Sequence, residues 1–347
     1  MEAKAQQIAD ILADYENNRM TAEHVLDWVA QFDEGDQEFI LDELTVIFKE
    51  TYFSKMKCKS LINLFLTKLA EQLQYADVVA MLRDTVFLDV QPEHKSQKEL
   101  LALLDEILQE TYGLTRVDCG QFARHYLYLD DVLSTGNKAC TDLQHWLKAA
   151  NEIAADQTNF DYLKANNIKL TVCVICAHVW GLKNVQFRLM QDVSADTEKY
   201  IRYRYIYGIE NNVKTFNAAL NNMVPIDHQL PEAANYLGTL TEASLNADRA
   251  YRKPAQPGKY EKLFTSAANR DRLETIFLKK GIDILNRVQV LNVKQLRPLG
   301  YTIKSHKTFG LGTLFFTYRN IPNNCPIIFW WGNNNWRPLF VLKNRGK

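Results

Sequence analysis

Two adjacent carboxylates, Asp130 and Asp131, follow the apolar run HYLYL (125–129). They precede Val132, Leu133 and a small polar turn, Ser134, Thr135, Gly136 and Asn137, closed by Lys138. An apolar strand that enters a glycine-containing turn and then a helix outlines an anion site. The turn amides point outward and the helix N-terminus adds partial positive charge. The donors here are the amides near Thr135, Gly136, Asn137 and Lys138, with the hydroxyls of Ser134 and Thr135. Gly136 allows a positive φ or close approach of a ligand. Two carboxylates cannot bind that same anion, but they suit a hydrogen-bond donor beside it. A phosphosugar would place its phosphate in the turn and its 2′- and 3′-hydroxyls on Asp130 and Asp131. Side chains alternate along a strand, so either the strand ends at the acids or one acid is structural. The plain alternative is a capped strand–turn–helix that holds no ligand.

The elements that must position these residues follow from hydrophobic period. Residues 1–80 read as a helical bundle. In TAEHVLDWVAQF, Thr21 is the N-cap and Val25, Trp28, Val29 and Phe32 form the buried face; Asp36 caps the next helix. From residue 81 the pattern changes. The short β-rich run TVFLDV (85–90), the strand at 125–129, IKLTVCVICAHVWG and YIRYRYIYGI alternate with helical segments up to about 224. Strands separated by helices, with near-continuous apolar content, predict an α/β core with a parallel sheet. Residues 225–347 read as helices followed by short strands and turns dense in aromatics, Gly, Asn and Pro. Three regions result: 1–80, 81–224 and 225–347.

Composition excludes several classes. The 347 residues carry 41 basic and 41 acidic side chains, so no bulk charge points to nucleic acid or a membrane surface. The longest apolar run, at 170–182, is too short to span a bilayer, and the N-terminus lacks a signal-peptide core. Six scattered cysteines form no disulfide framework, which predicts a cytoplasmic protein with reduced thiols. Cys173 and Cys176 lie inside an apolar strand and read as buried, with no second ligand pair for zinc.

The stretch YLYLDDVLSTGNK resembles the phosphoribosyl-pyrophosphate motif of type I phosphoribosyltransferases: an apolar strand, two acids, two apolar residues, then small and hydroxyl residues around a glycine. Tyr128 stands where a small aliphatic is usual, and Lys138 where a small or hydroxyl residue closes the motif. EHVLDWVAQF, FLKKGIDIL, RPLGY, GLGTLFFTYRNIPNNCPIIFWW and WRPLF extend the likeness over nearly the whole chain. The chain is similar to phosphoribosyltransferase-like proteins of bacterial conflict systems, found in retron and other anti-phage loci.

The resemblance implies a type I phosphoribosyltransferase-like sheet flanked by helices, with the N-terminal helical bundle and a C-terminal helical and short-strand extension. It implies phosphoribosyl pyrophosphate or a nucleotide as ligand, with Mg²⁺. Asp130 and Asp131 would hold the ribose hydroxyls directly or through metal, and Ser134, Thr135, Gly136, Asn137 and Lys138 the 5′-phosphate. The pyrophosphate loop maps to QPEHKSQ (91–97), where Lys95 and Ser96 are the candidates; it contains no glycine, and it includes Pro92, Glu93 and His94. Arg319, Asn320, Asn323 and Asn324, near a Trp-rich terminus, read as a base or nucleotide pocket. Glycosyl transfer or N-glycosidic bond chemistry in an effector of a defence system is one expectation. The other is a transferase fold without turnover, acting as a binding or regulatory subunit beside a reverse transcriptase, its RNA–DNA product or another defence subunit.

Overall fold

Helical periodicity in the first fifty residues resolves into α1 (Glu2–Ile11), α2 (Ala22–Val29) and α3 (Glu34–Thr51). Thr21 caps α2 as expected: its side chain accepts from the His24 amide at 3.1 Å, satisfying a donor that a helix start leaves without a partner. Val25, Trp28, Val29 and Phe32 are all buried. The third helix starts earlier than its expected Asp36 cap. Asp33 is the N-cap, and Asp36 lies in the first turn, where a carboxylate still suits the positive end of the helix. There follow β1 (Tyr52–Phe53), α4 (Lys55–Gln72), α5 (Val78–Asp84), β2 (Thr85–Phe87), α6 (Ser96–Ile107), β3 (His125–Leu133), α7 (Asn137–Lys148) and α8 (Asn159–Ala165). Then come β4 (Lys169–His178), α9 (Val179–Asp192), α10 (Thr197–Tyr200), β5 (Ile201–Ile209), α11 (Pro231–Thr239), α12 (Ala267–Asn286) and β6 (Phe316–Thr317). This computed structural model describes residues 1–16, 19–93, 95–213, 220–254, 261–288, 293–333 and 335–342.

The chain divides into two units, one of residues 1–55 with 209–347 and one of residues 56–208. Residues 80 and 224, where the sequence pattern changes, fall inside these units rather than between them. In the first unit, β1 pairs in parallel with β6, Tyr52 opposite Phe316 and Phe53 opposite Thr317. Its core is aromatic: the Trp28 and Phe329 rings stack 5.9 Å apart, and Phe316 stacks on Phe340 at 5.1 Å. The Trp28 and Trp336 indole N–H groups both donate to the Ile328 carbonyl, at 3.0 and 2.9 Å, so the polar edges of the rings are paired as well as buried.

The second unit holds a four-stranded sheet in the order β2-β3-β4-β5, flanked by helices. β3 pairs in parallel with β2 and β4, with Leu127 opposite Phe87 and Thr171, and Asp130 opposite Val174. β4 is buried along nearly its whole length, as a strand covered on both faces must be. Leu143 and Leu147 of α7 and Val185 and Leu189 of α9 pack on Tyr126, Tyr128, Leu170 and Val172 of the sheet. One sequence expectation is corrected here: the central strand does not end at 129 but continues to Leu133, so both acids lie within it.

Candidate functional site

β3 carries the paired acids near its C-terminal end, the edge at which parallel sheets present ligand sites. Strand alternation sends Asp130 to the face of Tyr126 and Tyr128 and Asp131 to the opposite one. Both are buried, 5 % and 7 % exposed. Asp130 sits among neutral donors. Its Oδ2 accepts from Gln91 Nε2 at 2.9 Å and from the Tyr128 hydroxyl at 3.0 Å. Its Oδ1 accepts from the Ser96 hydroxyl and the Asp131 amide, both at 2.9 Å. Burial first, and then the charge of Asp131, push the Asp130 carboxyl up to about 7, although the Asp131 amide and the Ser96 and Tyr128 hydroxyls favour its ionised form. Burial likewise holds the Tyr128 phenol well above its usual range. Asp131 Oδ1 accepts from the Val132 amide at 2.7 Å.

The loop between β2 and α6 reaches this carboxylate with its side chains. Gln91 is buried, and its Nε2 also donates to the Tyr128 hydroxyl at 3.1 Å. Gln97, fully buried, fastens the loop: its Oε1 accepts from the Val90 and Gln91 amides, each at 3.0 Å, and its Nε2 donates to the Leu129 carbonyl at 3.1 Å. Ser96 thus meets Asp130, while Lys95 is exposed at the N-cap of α6. His94 lies outside the described residues.

The turn after β3 is set by backbone geometry. Gly136, at φ 78°, is the N-cap of α7. A Cβ there would stand 2.6 Å from the Gly181 carbonyl oxygen, and one on Gly181 would stand 1.9 Å from the Ser134 carbonyl oxygen. Glycine is therefore needed on both sides of this contact between turn and α9. Asn184 of α9 donates to the Thr135 carbonyl at 3.0 Å, and Arg188 donates to Asn137 Oδ1 at 2.9 Å. The α7 amides at Asn137, Lys138 and Ala139 have no carbonyl acceptor within the helix; that of Asn137 donates instead to the Thr135 hydroxyl oxygen at 3.4 Å, and Arg188 adds a cation beside them. The Lys138 ammonium is engaged by buried Asp142 one turn along the helix, so its charge is shared with a carboxylate before any phosphate arrives.

The C-terminal candidates belong to the other unit. Asn320 closes a turn with Thr317, whose amide and hydroxyl both donate to the Asn320 carbonyl, at 3.0 and 2.7 Å. The Asn323 carbonyl accepts from the Tyr301 amide at 2.8 Å, and Asn324 Nδ2 donates to the Tyr301 carbonyl at 2.9 Å. Arg319 is half-buried beside them. The Trp330 indole N–H donates to the Cys325 carbonyl at 2.9 Å and its ring is buried. Cys173 and Cys176 are buried in β4 as expected, and among the described residues no group of three or more His, Cys, Asp or Glu side chains could hold a metal ion.

A phosphoribosyltransferase-like family model, PRTase-CE, matches residues 25–341. The chain belongs to the PRTase-CE family. The match spans both units, so the acids, the turn and the C-terminal aromatic segment all fall within it. The parallel sheet flanked by helices is thus that of a phosphoribosyltransferase-like fold. No curated protein and no solved structure matches the chain. Among the described residues no helix is long and apolar enough to cross a membrane.

Of the residues read from sequence, the structure brings Asp130, Asp131, Ser134 to Lys138 and Ser96 to one edge of one sheet. Sequence reasoning missed Gly181, Asn184 and Arg188, and it placed Gln91 and Gln97 in the loop without a role. One signal was present. A helix that follows the neighbouring parallel strand starts at the same sheet edge, so the first turns of α9 had to lie beside the β3–α7 turn. Tyr128, a departure from the motif, has a use in place: it donates to the buried carboxylate.

Proposed function

We propose that the β3–α7 segment binds phosphoribosyl pyrophosphate or a related nucleotide, with the phosphate on the 134–138 turn and the ribose beside the acidic pair. The observation that carries this reading is an acid pair and a glycine-capped turn at the C-terminal end of a parallel strand, in a chain of a phosphoribosyltransferase-like family. The 5′-phosphate would take the first-turn amides of α7, the Ser134 and Thr135 hydroxyls and the Arg188 guanidinium. Mg²⁺, when bound, would supply charge stabilisation to departing pyrophosphate. The donor set fits a metal carried on substrate oxygens: Mg²⁺ commonly uses one or two carboxylates with phosphates and waters, and this edge offers at most two.

A second reading, a binding module without turnover, is favoured by one feature. A pyrophosphate cradle needs converging backbone amides, and those of Val90 and Gln91 are already held by Gln97. On the resemblance alone, we extend both readings to a cytoplasmic subunit of an anti-phage system, acting as effector or beside a reverse transcriptase and its RNA–DNA product. The same experiment separates them. Melting of the protein with Mg²⁺ and phosphoribosyl pyrophosphate is expected to rise, by about 2.7 kcal/mol of stability at a hundred times the dissociation constant, and to rise less in Thr135→Val and Asp131→Asn. Pyrophosphate release under the same conditions marks an enzyme; a melting shift without release marks the binding module. No shift at millimolar ligand refutes both.

A further inference from the structure

Asp130 and Asp131 are neighbours in sequence but differ in the fold. A carboxylate has about four lone-pair positions. Asp130 receives four donors, from Gln91, Tyr128, Ser96 and the Asp131 amide, at 2.9 to 3.0 Å. A ribose hydroxyl or a metal could reach it only by displacing one of them. Two of the four, Gln91 and Ser96, stand at either end of one loop, and Gln97 ties the same loop to the Leu129 carbonyl on β3. Asp130 and Gln97 together clamp the β2–α6 loop to the strand that feeds the phosphate turn.

We propose that Asp130 is a positioning residue: it fixes the 90–97 loop against the end of β3 and does not itself grip the ligand. The proposal rests on reading the β3–α7 turn as the phosphoribosyl site. It gives the paired acids separate tasks, Asp130 toward the loop and Asp131, on the other face of the strand, toward the ligand. It also explains Tyr128, whose hydroxyl completes the donor set of a carboxylate that stays inside the fold.

Gln91→Ala decides between the two roles, because it removes a loop donor and leaves both acids intact. Two readouts are needed: hydrogen exchange of the Val90 amide, which is held by Gln97, and affinity for phosphoribosyl pyrophosphate with Mg²⁺. The positioning role predicts Val90 exchange faster by about tenfold or more and affinity lower by about tenfold, a loss of one hydrogen bond to a charged group. A ligand-gripping Asp130, relieved of a competitor, predicts tighter binding, and that result overturns the proposal. Unchanged Val90 exchange also overturns it. A second pair, Asp130→Asn alone and with Gln91→Glu, exchanges donor and acceptor across the same contact. The proposal predicts recovery of loop protection and affinity in the double variant; affinity as low as in Asp130→Asn alone contradicts it. If the wild-type protein binds no phosphoribosyl pyrophosphate, the reading of the turn fails, while the exchange arm still decides whether Asp130 holds the loop.

Discussion

Two buried acids, one in each unit, are treated in opposite ways. Glu274 on α12 is closed within an ionic network. Its Oε1 accepts from Arg270 Nε at 2.9 Å and the Val224 amide at 3.1 Å, and its Oε2 accepts from Arg252 Nε and Nη2 at 3.1 and 3.0 Å. Glu261 and Asp271 complete the charge balance around the two guanidinium groups. Asp130 has as many donors but, among the described residues, no ion-paired cation, and burial beside Asp131 pushes its carboxyl up to about 7. The first arrangement spends its charges on holding segments 220–224 and 252 against a helix. The second meets its carboxylate with neutral donors alone and spends them on holding the 90–97 loop against the end of β3, beside the glycine-capped turn.

The comparison breaks if the two acids respond alike to neutralisation. Glu274→Gln leaves two buried guanidinium groups short of a partner and is expected to cost about 3–5 kcal/mol in denaturant unfolding. Asp130→Asn neutralises a carboxyl already easy to protonate, and is expected to cost about 1–3 kcal/mol, the loss of part of a hydrogen-bond set. Equal costs would show that Asp130 is an ordinary structural charge.

A smaller effect sharpens the account of the turn. Gly181→Ala places a methyl 1.9 Å from the Ser134 carbonyl oxygen, so backbone must move. The expected cost is about 1–3 kcal/mol, with weakened phosphoribosyl pyrophosphate binding measured on the fraction that stays folded. Binding as tight as in the wild type would detach the ligand from this turn.

The smallest effect, counted per pH unit, is in the response to acid. His125 and His178 are buried, and burial pushes them down to about 4 and about 3. Both stay neutral when folded, while the unfolded chain takes up protons below about 6.5. Their contribution is therefore full above that pH and is lost on acidification, by at most about 1.4 kcal/mol per unit for each. Asp130 acts oppositely: its raised value makes stability fall as pH climbs from the ordinary carboxylate range to about 7. Melting of His125→Gln is expected to depend less on pH between 4 and 6.5 than that of the wild type. An unaltered slope would mean that His125 is charged in the fold.

The strand, the glycine turn and the helix at 125–148 were legible because a run of Tyr and Leu, then Gly136, then helical period follow in that order. The strand's true end was not. Acids are depleted from strands, so Asp130 and Asp131 read as a terminus, and only the donors from Gln91, Ser96 and Tyr128 make one of them tolerable inside it. Gln97, Gly181 and Arg188 act through tertiary contacts that no local pattern encodes. The pairing of Tyr52 with Phe316 was equally hidden, since two-residue strands carry no period. In the C-terminal block, the side-chain amide of Asn suits both base edges and backbone turns; that of Asn324 donates to the Tyr301 carbonyl, while Asn320 closes its turn through its own main-chain carbonyl.

Isothermal titration of the full chain with phosphoribosyl pyrophosphate and Mg²⁺ tests the central claim most directly. Saturable one-to-one binding in the wild type, lost in Thr135→Val and in Asp131→Asn while both remain folded, is the predicted result. Absence of binding in the wild type, or binding that survives both substitutions, would contradict a sugar-phosphate site at the end of β3.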